Sequence, residues 1–225
     1  MIDQPFQLFR QFQDLIDVRF LARADAAAND ADIARITGRK NFVSLRQMHG
    51  NIAVRVRTPS SRVLEADALA TDEPGLTLTI RFADCQGAVI FDPKKRVVCL
   101  VHAGWRGVRS RVMTEAFEMM RAEWGVDPED VFVGLGPSLC AKCAEFTDPL
   151  AEVPELKDFI RGRTVNLRTA LDDELVGLGV QKRRIERMVD CTRCHPETYF
   201  TYRGGDKEAV TNGCINAFAV TITAK

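Results

Sequence analysis

The chain has 225 residues, 46% of them hydrophobic, with 31 basic and 31 acidic side chains and a formal net charge of zero. That length supports a sizeable core, and the charge balance argues against non-specific nucleic-acid binding, which needs surplus cations to displace counterions. No apolar run approaches the ~20 residues of a membrane span, and the first ten residues lack the basic and apolar regions of a secretory leader, so a cytoplasmic protein is expected.

From the N-terminus, Phe6 to Leu21 spaces its apolar residues in a roughly helical pattern, and 22–38 is alanine-rich and charged. Residues 41–45 (NFVSL) and 52–56 predict short strands, separated by the loop RQMHG. The run 76–82 (LTLTIRF) alternates with period two, as a half-buried strand does. AVIF at 88–91 predicts a further strand, and VVCLV at 97–101 is apolar throughout, as a strand covered on both faces is. Residues 104–107 open a predicted long helix running to Glu123, with Val108, Val112, Ala116 and Met119 or Met120 on one face. Strands are expected again at 131–135, 185–189, 199–202 and 215–222, with two helical pieces over 150–179. Several strand pairs are joined by turns too short for a parallel crossover. The expectation is an α+β fold: one domain over residues 1–225, with mixed β-sheets packed against helices.

Only three histidines occur, at 49, 102 and 195, against seven cysteines. An odd cysteine count in a chain of this length suits a reducing compartment, where thiols act as ligands, nucleophiles or core residues. His49, Cys85 and His102 each follow a predicted strand. Strands of one sheet can carry three such exits to one edge. Two imidazoles and a thiolate suit zinc, and three protein ligands leave a fourth tetrahedral position open. The alternative for each is an ordinary packed or hydrogen-bonded side chain. In HAGWRG (102–107), two glycines flank Trp105 and Arg106 before a helix. A helix start offers unpaired N–H groups to an anion, and Arg106 adds a guanidinium suited to phosphate. The glycines can equally serve turn packing alone. Asp84 reads as a turn residue capping its own backbone, or as a group that orients a ligand or takes a proton. Tyr202 and Phe82 are aromatic candidates for stacking on a ring, with core packing the simpler reading.

Cys140-x-x-Cys143 and Cys191-x-x-Cys194 form two paired motifs. Two such pairs suit a closed structural tetrathiolate, with four unconnected thiols as the alternative, and His195 stands next to the second pair. Cys99 falls within a buried strand, and Cys214 has no assigned role.

QMHG at 47–50, ADALATDEPGLTLTIRFADC at 66–85 and VHAGWRG at 101–107 resemble the YfiH/laccase-domain family, also called multicopper polyphenol oxidoreductase-like or peptidoglycan-editing-factor proteins. GLGPSLCAKCAEF at 134–146 and CTRCHPETYFTYRGG at 191–205 extend the resemblance over most of residues 43–205. It implies a YfiH-like sandwich and zinc on His49, Cys85 and His102. It further implies a purine nucleoside phosphorylase acting on adenosine, inosine, guanosine and methylthioadenosine, with adenosine deaminase activity. Purine nucleosides and phosphate are the implied partners, with no nucleic acid or membrane, and a monomer or small homo-oligomer as the assembly. Arg106 and Arg203 are the candidates for phosphate. The family's tyrosine before Glu145 is Ala144 here, Gly204 stands where a second arginine is expected, and its N-terminal substrate arginine has only Arg19 and Arg23 as candidates. The alternatives are a cysteine- or metal-dependent hydrolase of peptidoglycan precursors and a non-catalytic nucleoside-binding module. Oxidation at several copper sites is disfavoured, because three histidines cannot furnish them, and neither His49 nor His102 is followed two residues later by the glutamate of the H-x-E motif of the common zinc deaminases.

Overall fold

The computed structural model describes residues 1–224. Its strands are β1 (Ile2–Asp3), β2 (Ile16–Leu21), β3 (Phe42–Arg46), β4 (Ala53–Arg55), β5 (Ser60–Glu65), β6 (Ala68–Thr71), β7 (Thr77–Phe82), β8 (Gln86–Asp92), β9 (Val97–Ala103), β10 (Phe132–Leu135), β11 (Ile160–Arg161), β12 (Thr164–Val165), β13 (Ile185–Arg187) and β14 (Asn216–Ile222). The α-helices are α1 (Asp30–Thr37), α2 (Trp105–Arg109), α3 (Val112–Trp124), α4 (Pro149–Glu152), α5 (Leu167–Gly177) and α6 (Lys207–Thr211). Among the described residues no helix is long and apolar enough to cross a membrane.

Two six-stranded mixed sheets form the body. The first has the order β1-β2-β14-β7-β3-β5 and the second β13-β10-β8-β9-β6-β4. Parallel pairs (β3 with β5 and β7, β4 with β6, β10 with β13) sit among antiparallel ones. The expected α+β architecture of mixed sheets and helices is therefore present. Between the sheets lies one core, in which Phe20, Leu78, Ile80 and Phe218 of the first meet Val89, Phe91, Val98 and Leu100 of the second. The outer face of the second sheet carries Ile90, Cys99 and Val101 against Val112, Met113, Ala116 and Met120 of α3 and Leu171 and Leu175 of α5. On the outer face of the first sheet, Leu21, Ala217 and Ala219 pack on Ile33 of α1. Fully burying one such large apolar side chain is worth ~1.5–3 kcal/mol. With cores on both faces, β8 and β9 are buried at every position, as the apolar run at 97–101 predicts.

Several elements differ from the sequence expectation. The helical spacing of Phe6–Leu21 belongs to a 3₁₀ turn over Gln7–Phe12 followed by β2. Phe6 and Phe9 are fully buried there, with Phe6 5.7 Å from the Phe218 ring, so their spacing reports a plug in the sandwich core rather than a helix face. The helix expected from 104 to 123 breaks in two. Ser110 returns its hydroxyl to the Arg106 carbonyl at 2.8 Å, and Arg111 takes a left-handed φ of 60°. Over 150–179, Pro149 and Pro154 start separate short turns, Gly162 (φ 60°) turns the β11–β12 hairpin, and only α5 is a helix of ordinary length. Tyr199–Tyr202 is not a strand. The Asn216 side chain takes the place of a ladder partner, accepting from Phe200 N at 3.0 Å and donating to Phe200 O at 2.9 Å. Thr77 and Thr79 are buried rather than exposed on β7, with their hydroxyls bonded to Thr221 and to the Val43 carbonyl. Strand β5, largely exposed and polar, carries no apolar alternation to announce it.

Candidate metal centre

Two of the chain's three crossings from the first sheet to the second carry donors of the cluster. One is 47–52, between β3 and β4; the other is 83–85, between β7 and β8. His49 lies on the first crossing and Cys85 on the second, while His102 lies near the end of β9. The expected meeting at one edge thus draws on both sheets rather than one. Each crossing needs a left-handed residue, His49 itself (φ 59°) and Asp84 (φ 77°). That conformation costs an L-residue roughly 1–2 kcal/mol, so tertiary contacts must hold it.

The three side chains converge. One donor atom from each of His49, Cys85 and His102 lies within 4.8 Å of the others, and the imidazoles meet edge-on with centroids 4.8 Å apart. His49 is exposed, Cys85 half-buried and His102 buried, so the cluster faces outward on one side. Gly104 closes the other side: a Cβ there would stand 3.1 Å from His49 Cδ2, 3.2 Å from Cys85 Sγ and 3.7 Å from His102 Cε1. Burial pushes the Cys85 thiol up, but His102 and then His49 outweigh it and bring it down to about 6. Burial disfavours His102 as a cation, yet the Cys85 thiolate and Asp67 raise it to about 9.

The cluster opens on a cavity of roughly 620 Å³, a size suited to a small ligand. Arg62, Arg81, Arg106, Arg168 and Arg203 line it. They are not equivalent. Arg168 is spent on the carbonyls of Ser138, Val189 and Asp190, and Arg81 on those of Ala28 and Gly213. Arg203 donates to the Glu145 carbonyl and lies over the Phe146 ring. Arg106 lies 4.2 Å over the Trp105 ring, and among the described residues its guanidinium has no carboxylate within ion-pair distance. Since α2 has only five residues, the anion role read from HAGWRG rests on this guanidinium. Arg19 and Arg23 are not on the cavity: they pair with Asp17 and Asp206. Tyr202 sits exposed on the cavity wall; Phe82 also lines the cavity, from a ring buried in the core beside Phe20 and Phe218.

A family model described as multi-copper polyphenol oxidoreductase laccase matches residues 22–220. The chain belongs to this laccase family. A purine nucleoside phosphorylase of Bacteroides thetaiotaomicron is 29% identical over 148 residues, covering 61% of this chain and 55% of that protein. Adenosine deaminase RL5, from an unknown prokaryotic organism, is 30% identical over 148 residues, covering 61% and 56%. The chain thus spans about half the length of these curated relatives. In fold, it is similar to the Bacillus licheniformis hypothetical protein YfiH, with a TM-score of 0.79 at 21% identity over 96% of this chain and 94% of that one.

Three residues that build this laccase-family site were not singled out from the sequence. Asp67, fully buried, accepts from His49 N at 2.9 Å and His102 Nδ1 at 2.8 Å through Oδ1, and from Gly50 N at 2.6 Å and Met48 N at 3.3 Å through Oδ2. One carboxylate thereby holds the left-handed His49 backbone and fixes the His102 ring with Nε2 free for a ligand. Burial raises the Asp67 carboxyl, but His102 and the Gly50 and His49 amides outweigh it and hold it low. Gln47 spans Arg81, donating to its carbonyl at 2.7 Å and accepting from its amide at 2.9 Å, which ties the first crossing to β7. Thr192 donates to Asp84 Oδ1 at 2.6 Å, as does Thr201, while Arg203 N donates to Asp84 Oδ2 at 2.7 Å. Asp84 therefore neither caps only its own turn nor points a free carboxylate at the cavity. It anchors the 191–203 segment beside Cys85. The signal available for Asp67 was a lone acid within an otherwise apolar stretch, ADALA.

Proposed function

We propose that the chain is a zinc-dependent purine nucleoside phosphorylase with adenosine deaminase activity. The observation that carries this reading is the juxtaposition of a three-donor His–Cys–His cluster with a ligand-sized cavity lined by arginines. The donor set fits zinc: two imidazoles and a thiolate, one imidazole oriented by a buried carboxylate, and a glycine where any side chain would intrude. Zinc, when bound, would be held by His49, Cys85 and His102 and would supply a Lewis acid, the chemistry that activates water for deamination. The names of the relatives support the nucleoside assignment. The copper-oxidase part of the family name finds no support in a chain with three histidines.

The chain's own residues then divide the work. Arg106 and Arg203 bind phosphate, Arg106 as a guanidinium stacked on the Trp105 ring and Arg203 from a backbone pinned by Asp84. Both offer charge-assisted donors to a phosphate and to negative charge developing as the purine leaves. The apolar walls contributed by Leu139, Leu167 and Val210 exclude water around the base. Tyr202 offers a ring face at the cavity.

Product analysis tests the reading. Metal-quantified protein incubated with adenosine or inosine, with and without phosphate, is expected to release free base and ribose 1-phosphate only when phosphate is present. Inosine formed from adenosine reports the deaminase. Arg106→Ala is expected to raise the KM for phosphate about tenfold or more while nucleoside binding changes little, in line with the loss of one charge-assisted contact of ~1.5–3 kcal/mol. No conversion of any purine nucleoside by zinc-loaded protein refutes the assignment, and release of an amino acid from peptidoglycan precursors would replace it with the hydrolase.

A further inference from the structure

We propose that Cys140, Cys143, Cys191 and Cys194 hold a second zinc ion, in a closed structural site that clamps the far wall of the cavity. It stands apart from the His49–Cys85–His102 cluster and does not depend on the reaction assigned there. The four Sγ atoms lie within 4.8 Å of one another, with Cys143 and Cys194 Sγ 3.6 Å apart. A tetrahedron with zinc–sulfur bonds of ~2.3 Å has sulfur–sulfur edges of about 3.8 Å. The thiols thus already stand near the spacing of a four-coordinate shell.

The backbone supports the same reading, because the two pairs are built alike. Cys143 N and Ala144 N both bond Cys140 O, at 3.0 and 3.1 Å. Cys194 N and His195 N both bond Cys191 O, each at 3.1 Å. Two equal turns, 51 residues apart, each aim two thiols at one point. Cys140 N also donates to Cys191 Sγ at 3.2 Å, the kind of amide contact that stabilises a thiolate. A zinc with four thiolates carries two excess negative charges. Lys142 and Arg193 occupy the matching place in each motif, just before the second cysteine, and Arg193 also pairs with Glu145 at 3.6 Å. Zinc is favoured over ferrous iron at such a site by its place in the divalent affinity order. His195 is directed elsewhere, with Nδ1 3.4 Å from Glu197.

The site joins two segments that also meet through an isolated bridge between Ser138 and Cys191, the Thr192 N bond to Ser138 O, and the contacts of Arg193 and Arg203 with Glu145. Leu139 on the first segment and Arg203 beyond the second line the cavity. Thr192, inside the second motif, bonds Asp84 beside Cys85, as do Thr201 and Arg203 further on. The metal would therefore fix the register of a cavity wall, while its four-thiolate shell leaves no position open for chemistry.

Metal analysis tests this. Wild-type protein purified under reducing conditions and reconstituted with zinc is expected to hold two equivalents. Cys85→Ala and Cys194→Ser are each expected to hold one. Cobalt loaded into Cys85→Ala, which keeps the tetrathiolate intact, is expected to give the strong thiolate charge-transfer and tetrahedral d–d absorption of a four-sulfur site. Hydrogen exchange in Cys194→Ser is expected to rise over 138–145 and 190–203 and not in β8 or β9. Equal metal content in wild type and Cys194→Ser overturns the proposal. So does a cobalt spectrum without thiolate bands, a disulfide among the four cysteines, or iron instead of zinc.

Discussion

Asp67→Asn removes one oxygen from a site where every lone pair is engaged. Asparagine keeps the shape and can still accept from His49 N and His102 Nδ1. Its amide nitrogen then faces Gly50 N across 2.6 Å, with a hydrogen on both sides. At least one charge-assisted bond worth ~1.5–3 kcal/mol is lost, and a buried donor is left unpaired at a further ~1–3 kcal/mol. Taking about 3 kcal/mol as the sum, and ~2–4 °C per kcal/mol for a chain of this size, Tm should fall by about 6–12 °C. Losing the partner that orients a metal-binding imidazole should weaken zinc at His49–Cys85–His102 by about 10–100-fold, read by competition with a chromophoric chelator. The pH dependence has a fixed sign. The Asp67 carboxyl is held below its ordinary 3.8 in the fold, so its contribution is present above that value and disappears as pH falls through the folded pKa. The wild-type advantage over Asp67→Asn should therefore shrink below about pH 4. A variant with zinc affinity within about threefold of wild type and an unchanged Tm would show that Asp67 orients neither the loop nor the ring.

Two further predictions rest on other contacts. Gly104→Ala has no backbone conflict at φ −70°, but its methyl presses on His49 and Cys85, so a folded protein with metal affinity reduced about tenfold or more is expected; normal affinity would mean the cluster opens easily. Burial raises the Glu174 carboxyl, which accepts from Thr114 N and Oγ1 at 2.9 Å. Its charged form is the disfavoured one in the fold, so stability is lost as pH rises from the unfolded value of 4.5 through the folded pKa. Glu174→Gln should therefore gain in Tm relative to wild type at pH 8 and not at pH 4, and a pH-independent difference would refute the argument.

Residue types and local pattern decided a large part of this protein. The all-apolar run at 97–101 required a strand covered on both faces, and β9 is one. The scarcity of histidine beside a strand-exit cysteine isolated His49, Cys85 and His102, and the structure brings them together. The paired cysteines fixed two matching turns through their own short spacing. Contacts between distant segments decided the rest. Apolar spacing in Phe6–Leu21 could not distinguish a helix face from phenylalanines plugging a sandwich, because both bury residues three apart. Tyr199–Tyr202 has strand composition, yet an asparagine side chain 16 residues away supplies its hydrogen bonds. Asp67 is an ordinary acid in the sequence. It becomes the keystone only because 48–50 and 102 converge on it once both sheets are packed, and no local periodicity encodes a carboxylate shared by groups 17 to 35 residues away. Which arginines are engaged was likewise set by tertiary structure, since carbonyls from remote loops occupy Arg81 and Arg168 while Arg106 lies on the Trp105 ring at the cavity.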